Sequence, residues 1–366
     1  MWALALFMVI WGTWLTLKHL RKRGTSVKAE AVSILKPLKG IDFQLEENLE
    51  SFFRLEYPKY ELLFSVADEN DLACEIIRRV ASKFPRVRAQ IFYGEVKIGG
   101  NPKVNNLIKS YQAAAHDWIL VSDSNVRVPQ DYLQSMTRDF DVDTGVVTAI
   151  VSGQYLGRGF GAPLEATYLN TFYARWTLIA GRFGAPVVIG KSMLFRKSEA
   201  DRFGGVELLS RYLAEDYMAG HAMKFLGKAV KVMREPVVQM IGNYSLKEFW
   251  SRHVRWGRIR KSQSPLTFPL EPLLSFWVSG FFGAAALRHF FGLPLLSGFL
   301  IHALTWFLCD ITLMFRMKQT LRPKSLAAWI VRETLHLPLW LHVAMGNTVN
   351  WRGNKLTLNQ GGLLDV

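Results

Sequence analysis

Four acidic residues and one basic, aromatic cluster are the residues of this chain whose types and spacing could do chemistry. Asp68 closes the apolar run Leu62-Leu63-Phe64-Ser65-Val66-Ala67, and Asp123 closes Trp118-Ile119-Leu120-Val121-Ser122. A carboxylate just past a buried strand serves either as a turn or helix cap or as a ligand contact, and two of them at strand ends favour a binding site. Glu215 and Asp216 open a helical segment that continues through Met218, His221 and Met223. Carboxylates in a first helical turn complement the helix dipole, and they can also take a proton. Arg252, Arg255 and Trp256 are spaced i, i+3 and i+4 and share one helix face. Read alone, these arginines suit lipid headgroups at a membrane interface. His221 and His253 are isolated helical histidines and read as structural. Cys74 and Cys309 have no partner spacing, which excludes a disulfide framework and a thiolate metal site.

The elements that must position these groups follow from periodicity. Apolar runs at 31–35, 61–67, 88–92 and 118–122 read as strands, and 45–54, 72–84 and 104–115 between them have helical spacing. Strand and helix alternating in units of about 30 residues imply an α/β domain with a mostly parallel sheet and helices on both faces. Ligands of such sheets bind at the carboxyl ends of the strands, where Asp68 and Asp123 stand. No Gly-x-Gly-x-x-Gly follows the first strand; Pro37-Leu38-Lys39-Gly40 stands there instead, which removes the main support for a dinucleotide site.

Half of the 366 residues are hydrophobic, and 45 Lys plus Arg against 30 Asp plus Glu leave a formal net charge of +15. The apolar surplus gathers at the two ends, with the basic residues beside it, which favours membrane anchoring over nucleic-acid binding. Residues 1–17 form an apolar run followed by Lys18, His19, Arg21, Lys22 and Arg23. Charge after the run rather than before it marks an uncleaved anchor whose following loop is cytoplasmic. Residues 269–291 and 293–315 are each long enough to span, with a turn at 292–294 and basic flanks on the same side. Asp310 lies inside the second of them and should face protein or water. The stretch 326–345 is interrupted by Arg332, Glu333, His336 and Pro338, which leaves a span and an interfacial or re-entrant helix both open.

Taken in order, the motifs resemble the membrane glycosyltransferases with a D, D, D, (Q/R)xxRW signature, and among them the ceramide glucosyltransferase family. The carrying residues are Leu35-Lys36-Pro37-Leu38-Lys39-Gly40, Asp68, Asn101-Pro102-Lys103-Val104-Asn105-Asn106-Leu107, Ser122-Asp123-Ser124-Asn125, Ala214-Glu215-Asp216-Tyr217 and Arg252-His253-Val254-Arg255-Trp256. The resemblance implies a GT-A-type domain over 21–244, an anchor at 1–20, an amphipathic interfacial helix at 245–263 and a membrane region with its tail at 264–366. It implies inverting transfer of a single hexose, glucose first among them, from a UDP-sugar to a lipid hydroxyl such as that of ceramide. Asp68 would accept a hydrogen bond from uracil, with Lys39, Lys103 and Asn105 on the donor. Asp123 would hold a divalent cation, Mg2+ or Mn2+, with Asn125 where the family often has a second carboxylate. Asp216 would be the general base, and Arg252, Arg255 and Trp256 would close over the donor. No second carboxylate stands out as the nucleophile a retaining route needs. Two other readings stay open: an N-acetylglucosaminyl transferase acting on a hopanoid or other lipid, and a non-catalytic membrane scaffold. No protein partner is inferable.

Overall fold

The computed structural model describes residues 1–21, 28, 30–351 and 354–364; Lys22 and Arg23 of the basic flank lie outside the described residues. The chain divides into two compact units. A sheet unit comprises Arg21–Val151 and Ala180–Met240, and a helical unit comprises Met1–Leu20, Ser152–Ile179 and Ile241–Asp365.

The sheet is built from β1 (Val32–Leu38), β2 (Tyr60–Val66), β3 (Arg88–Tyr93), β4 (Trp118–Val121), β5 (Val126–Arg127), β6 (Thr144–Tyr155), β7 (Met193–Arg196) and β8 (Ala229–Ile241). Its eight strands lie in the order β3-β2-β1-β4-β7-β6-β8-β5. β1, β2 and β4 read as continuous apolar runs because they are central and buried almost throughout. The helices Leu45–Phe53, Ala73–Lys83 and Pro102–Ala113 are the crossovers that parallel pairing of β1, β2, β3 and β4 demands. Leu107, Ile108 and Tyr111 of the third crossover share one core with Leu35, Leu63, Ile119 and Phe195 of the strands.

The expectation of a mostly parallel sheet is corrected to a mixed one. β7 runs antiparallel to both β4 and β6, and β5 antiparallel to β8. The alternation that identifies crossovers ends at β4, and the four residues of β7 carry no periodicity from which a direction could be read.

The chain order reverses beside β1, with β2 and β3 on one side and β4 on the other, so the switch point that binds ligands in α/β sheets falls between β1 and β4. β4 pairs with β1 only from Val32 to Leu35. Pro37, which has no N–H to donate, thus occurs beyond the point where the β4 ladder stops.

In the helical unit, Gly161–Tyr168, the π-turn Leu169–Tyr173 and Ala174–Arg182 run on from one another, and Leu246–Gln263, Phe276–Phe291, Leu295–Arg316 and Pro323–Ala344 follow. Among the described residues, Leu295–Arg316 is the one helix long and apolar enough to cross a membrane, with a mean hydropathy of 1.6. The expected first limb of the hairpin is broken: Phe268–Leu274 and Phe276–Phe291 meet the same measure only together and are bent by 56°. Pro272, inside the shorter piece, lacks the N–H a continuous helix would use. Gly292 closes the longer piece at φ +68, a left-handed conformation open to glycine. Trp2–His19 forms the expected first helix over 18 residues but falls short of that measure.

Asp310 faces protein. Its carboxylate is fully buried, pairs with Arg175 and, at 2.8 Å, with Arg332, and accepts a hydrogen bond from Trp329 Nε1 at 2.8 Å. The interrupted stretch 326–345 lies in one helix, Pro323–Ala344, with Arg332 and Glu333 buried and Pro338 inside it. Pairing of this kind is what makes charges tolerable in an apolar segment.

Candidate active site

In the sheet unit, the residues that end β1 and β4 and those that begin two helices converge on one charged network. Asn101 caps the helix Pro102–Ala113: its Oδ1 accepts from the Lys103 N–H at 2.8 Å and the Val104 N–H at 3.3 Å. This cap fixes the root of Lys103, whose Nζ lies 3.0 Å from Asp123 Oδ1 and 2.9 Å from Glu215 Oε1 and donates to Gly190 O at 3.3 Å. Asn101 Nδ2 also donates to Glu215 Oε2 at 3.1 Å, so Glu215 is held from two sides. On the other flank, Lys191 Nζ lies 3.4 Å from Asp123 Oδ2 and donates to Asn125 Oδ1 at 2.7 Å.

Beneath the turn, buried Lys36 donates to Asp123 O at 3.0 Å and Ser122 Oγ at 3.4 Å, with its ammonium 3.5 Å from the centre of the Phe52 ring. Burial brings its pKa down to about 7, against the pull of Asp123 and Asp42. Burial raises the pKa of Asp123, but Lys103 and Lys191 prevail and hold it well below the usual carboxylate range. Burial likewise disfavours charge on Lys103, and Asp123, Glu215 and Asp216 more than reverse this.

Asp216 behaves differently. Its Oδ2 accepts from the Gly190 N–H at 2.6 Å and its Oδ1 from the Tyr217 N–H at 2.8 Å. Gly190 is glycine for a reason visible here: a Cβ would stand 2.9 Å from Asp216 Oδ2. Burial, followed by the neighbouring charge of Glu215, raises the Asp216 pKa to about 6, with Lys103 and the two amides opposing. One carboxylate is thus firmly ionised and another is poised close to neutrality, the arrangement acid–base chemistry uses.

The other predicted residues are placed less centrally. Lys39 follows the end of β1, and Asp68 is exposed past the end of β2, where it accepts from the Asn70 N–H at 2.9 Å as in a turn. Both lie at the same carboxyl edge as Asp123, as the parallel register of Leu38 with Val66 and Leu35 with Val121 requires. Asn105 uses its amide on the 98–99 loop, accepting from the Ile98 and Gly99 N–H groups and donating to Gly99 O at 2.9 Å. His221 is exposed beside the Tyr217 ring. Among the described residues no group of three or more His, Cys, Asp or Glu could hold a metal ion. The hard oxygen donors suited to a divalent cation are Asp123, whose side chain is 29% exposed, and Asn125.

In the helical unit, Ser245 and Glu248 form a capping box that starts Leu246–Gln263, the helix bearing Arg252, Arg255 and Trp256. A fully buried carboxylate, Glu165, accepts from Arg252 Nη1 at 2.9 Å and pairs with His253 Nε2 at 2.8 Å. A carboxylate only accepts, so His253 Nε2 carries the hydrogen. Burial raises the Glu165 pKa, yet Arg252 and His253 hold it at about 2; burial lowers that of His253 despite Glu165. The His253 ring is flanked by Tyr168 and Phe249, each with its ring centre 4.1 Å away. Arg252 lies over the Trp256 ring at 5.4 Å, and Trp256 stacks on Tyr173 at 5.5 Å.

Sequence reading missed Lys191, Glu165 and the supporting parts of Gly190 and Lys36. Lys36 stood within a quoted motif and Glu215 beside Asp216, so position in the sequence could have flagged both. Nothing local marks Lys191 or Glu165.

The fold is similar to that of a mannosyltransferase, PcManGT from Pyrobaculum calidifontis in complex with GDP-Man and Mn2+, over 94% of this chain and 95% of that one, with a TM-score of 0.56 and 16% identity. The family model for glycosyl transferase family 21 matches residues 1–364, and the chain belongs to that family. It is 32% identical over 351 residues to ceramide glucosyltransferase 3 of Caenorhabditis elegans, covering 94% of this chain and 76% of that protein. It is 31% identical over 337 residues to ceramide glucosyltransferase 1 of the same organism, covering 90% and 72%. The chain is accordingly a hexosyltransferase with a GT-A-like fold.

Proposed function

We propose that this enzyme transfers one hexose, glucose, from UDP-glucose to the primary hydroxyl of ceramide or a closely similar lipid, with inversion. The observation that carries the reading is Asp216, a carboxylate raised to about 6 and pinned by two backbone amides beside an ion-paired lysine and Asp123. A carboxylate so held can take the proton of an alcohol as its oxygen bonds to the anomeric carbon. The bond from that carbon to the diphosphate breaks from the opposite face, and UDP leaves with the electron pair. Lys103 and Lys191 supply positive charge where the leaving group develops negative charge. Asp68 and Lys39 belong to the uridine end, with Asn105 shaping the loop, and Arg252, Arg255 and Trp256 act on the diphosphate and the acceptor path. Asp123 and Asn125 would hold Mg2+ or Mn2+, with the diphosphate completing the oxygen set; the cation would neutralise that leaving group. The relatives named ceramide glucosyltransferase support the lipid acceptor.

The bilayer belongs to the same reading. Trp2–His19 anchors the chain, the bent pair and Leu295–Arg316 form a hairpin, and the basic flanks put the catalytic side in the cytoplasm. Membranes containing the protein, incubated with a panel of nucleotide sugars and total lipid, should yield a new hexosyl-lipid with UDP-glucose by mass spectrometry. An N-acetylhexosaminyl lipid would carry the alternative donor, and no product with any donor would overturn the enzyme reading.

The pH profile gives a separate check. Asp216 must be ionised to act, so turnover should be full above its pKa of about 6 and fall about tenfold per pH unit below it. Glu215→Gln removes the like charge that raises this pKa, so the acid limb should move to lower pH even if the rate at the optimum drops. A limb that stays in place or moves upward would assign it to another group.

A further inference from the structure

Lys191 stands two residues before β7, and the antiparallel register of Val121 with Met193 sets it opposite Asp123 at the end of β4. Its backbone is fixed on both sides. Thr148 Oγ1 accepts from the Ile189 N–H at 2.9 Å and donates to Ser192 O at 2.9 Å. The Gly190 N–H is donated to Asp216, and Ser192 Oγ bonds the buried Tyr132 hydroxyl. The Lys191 side chain is only 10% exposed, so the strand aims its ammonium into the site.

The oxygens that this ammonium meets are the ones a divalent cation would need. Lys191 Nζ lies 3.4 Å from Asp123 Oδ2 and 2.7 Å from Asn125 Oδ1, and Asp123 Oδ1 faces Lys103 Nζ at 3.0 Å. Mg2+ binds its oxygens at about 2.0–2.1 Å. A cation held by both Asp123 and Asn125 must therefore lie between them, where Lys191 makes its bridge. Charge gives the same answer. Asp123 and Glu215 are already paired with Lys191 and Lys103, so a cation arriving alone meets two ammoniums and carboxylates that are already matched. A diphosphate brings the negative charge that both the cation and a displaced ammonium require. Lys103 is the worse candidate to yield, because Glu215 and Gly190 O hold it as well as Asp123, and the Asn101 cap fixes its root.

We propose that Lys191 is a placeholder for the divalent cation: its ammonium holds Asp123 and Asn125 against the cation until a nucleotide diphosphate arrives, then swings to the diphosphate, so that cation and donor bind together. The proposal rests on the reading that Asp123 and Asn125 hold the cation. No covalent bond changes in the exchange. Lysine suits it because a flexible four-carbon stem moves a point charge while the strand stays still.

The test is Mn2+ binding to the full chain in nonionic detergent, read from the loss of the free-ion EPR signal, with and without UDP. Lys191→Met keeps a long stem and removes the charge, so it should bind Mn2+ alone about tenfold or more tightly than the native protein does. The same substitution should weaken UDP binding in EDTA by about tenfold, measured calorimetrically, because a charge-assisted hydrogen bond to the diphosphate is lost. A merely structural role would move both affinities the same way, so opposite signs in one variant distinguish the exchange from it. Lys191→Arg, which keeps the charge, should bind Mn2+ alone as weakly as the native protein. Adding Asp123→Asn to Lys191→Met should abolish the gain and so assign it to this site. An unchanged thermal midpoint establishes that each variant is folded, and Lys191→Gln gives the same readings should the apolar methionine fail to fold. Unchanged Mn2+ affinity in the folded variant, a gain that survives Asp123→Asn, or unchanged UDP affinity in EDTA overturns the proposal and leaves the cation reading standing. Mn2+ bound by neither the native protein nor the variant, even with UDP, overturns the cation reading and the proposal with it.

Discussion

Asp216→Asn should reduce kcat by roughly 10²–10⁴-fold, the usual worth of a positioned proton acceptor. The substitution preserves shape and removes the ability to take a proton. Asp216 uses one oxygen on the Gly190 N–H and the other on the Tyr217 N–H; asparagine can keep only one of these, at a cost of about 1 kcal/mol. Donor binding and the thermal midpoint should therefore change little, and the loss should fall on kcat rather than on KM for the donor. Single-turnover assays with saturating UDP-glucose and lipid separate the two. Retained turnover would remove Asp216 from the base role, and turnover lost together with donor binding would place it in binding instead.

Glu165→Ala should have the largest effect on the helical unit, about 3–5 kcal/mol of destabilisation, because it takes away the fully buried carboxylate that Arg252 and His253 share. Glu165→Gln, which keeps the outline, should cost less. The sign of the pH dependence distinguishes charge from packing. The folded pKa of Glu165 is depressed to about 2 from an ordinary 4.5, so its ionic contribution is present above the ordinary value and disappears as pH falls through about 2. The stability gap between the native protein and Glu165→Gln should thus be wide at neutral pH and narrow on acidification, measured by denaturant unfolding in mixed micelles. A gap independent of pH would make the role of Glu165 one of shape alone. If Arg252 acts on the donor, Glu165→Gln should also raise the KM for UDP-sugar, and a rescued thermal midpoint without a rescued KM would mark Glu165 as a positioning residue.

What could be read from the sequence was whatever depends on near neighbours along the chain. The alternation of apolar runs located β1 to β4 and their three crossovers to within a few residues, because burial on a strand or a helix face leaves a period of its own. The same local logic put Asp68 and Asp123 at strand ends and Arg252, Arg255 and Trp256 on one helix face. The tertiary structure alone decided the antiparallel placing of β7, which brings Lys191 to Asp123 across 68 positions, and the pairing of Glu165 with Arg252 across 87. It also settled Asp310, awkward in a one-dimensional reading of an apolar helix and satisfied once Arg175, 135 positions away, folds against it. A buried charge needs a partner, and that necessity is visible in sequence; which residue answers it depends on chain packing over distances at which no periodicity survives.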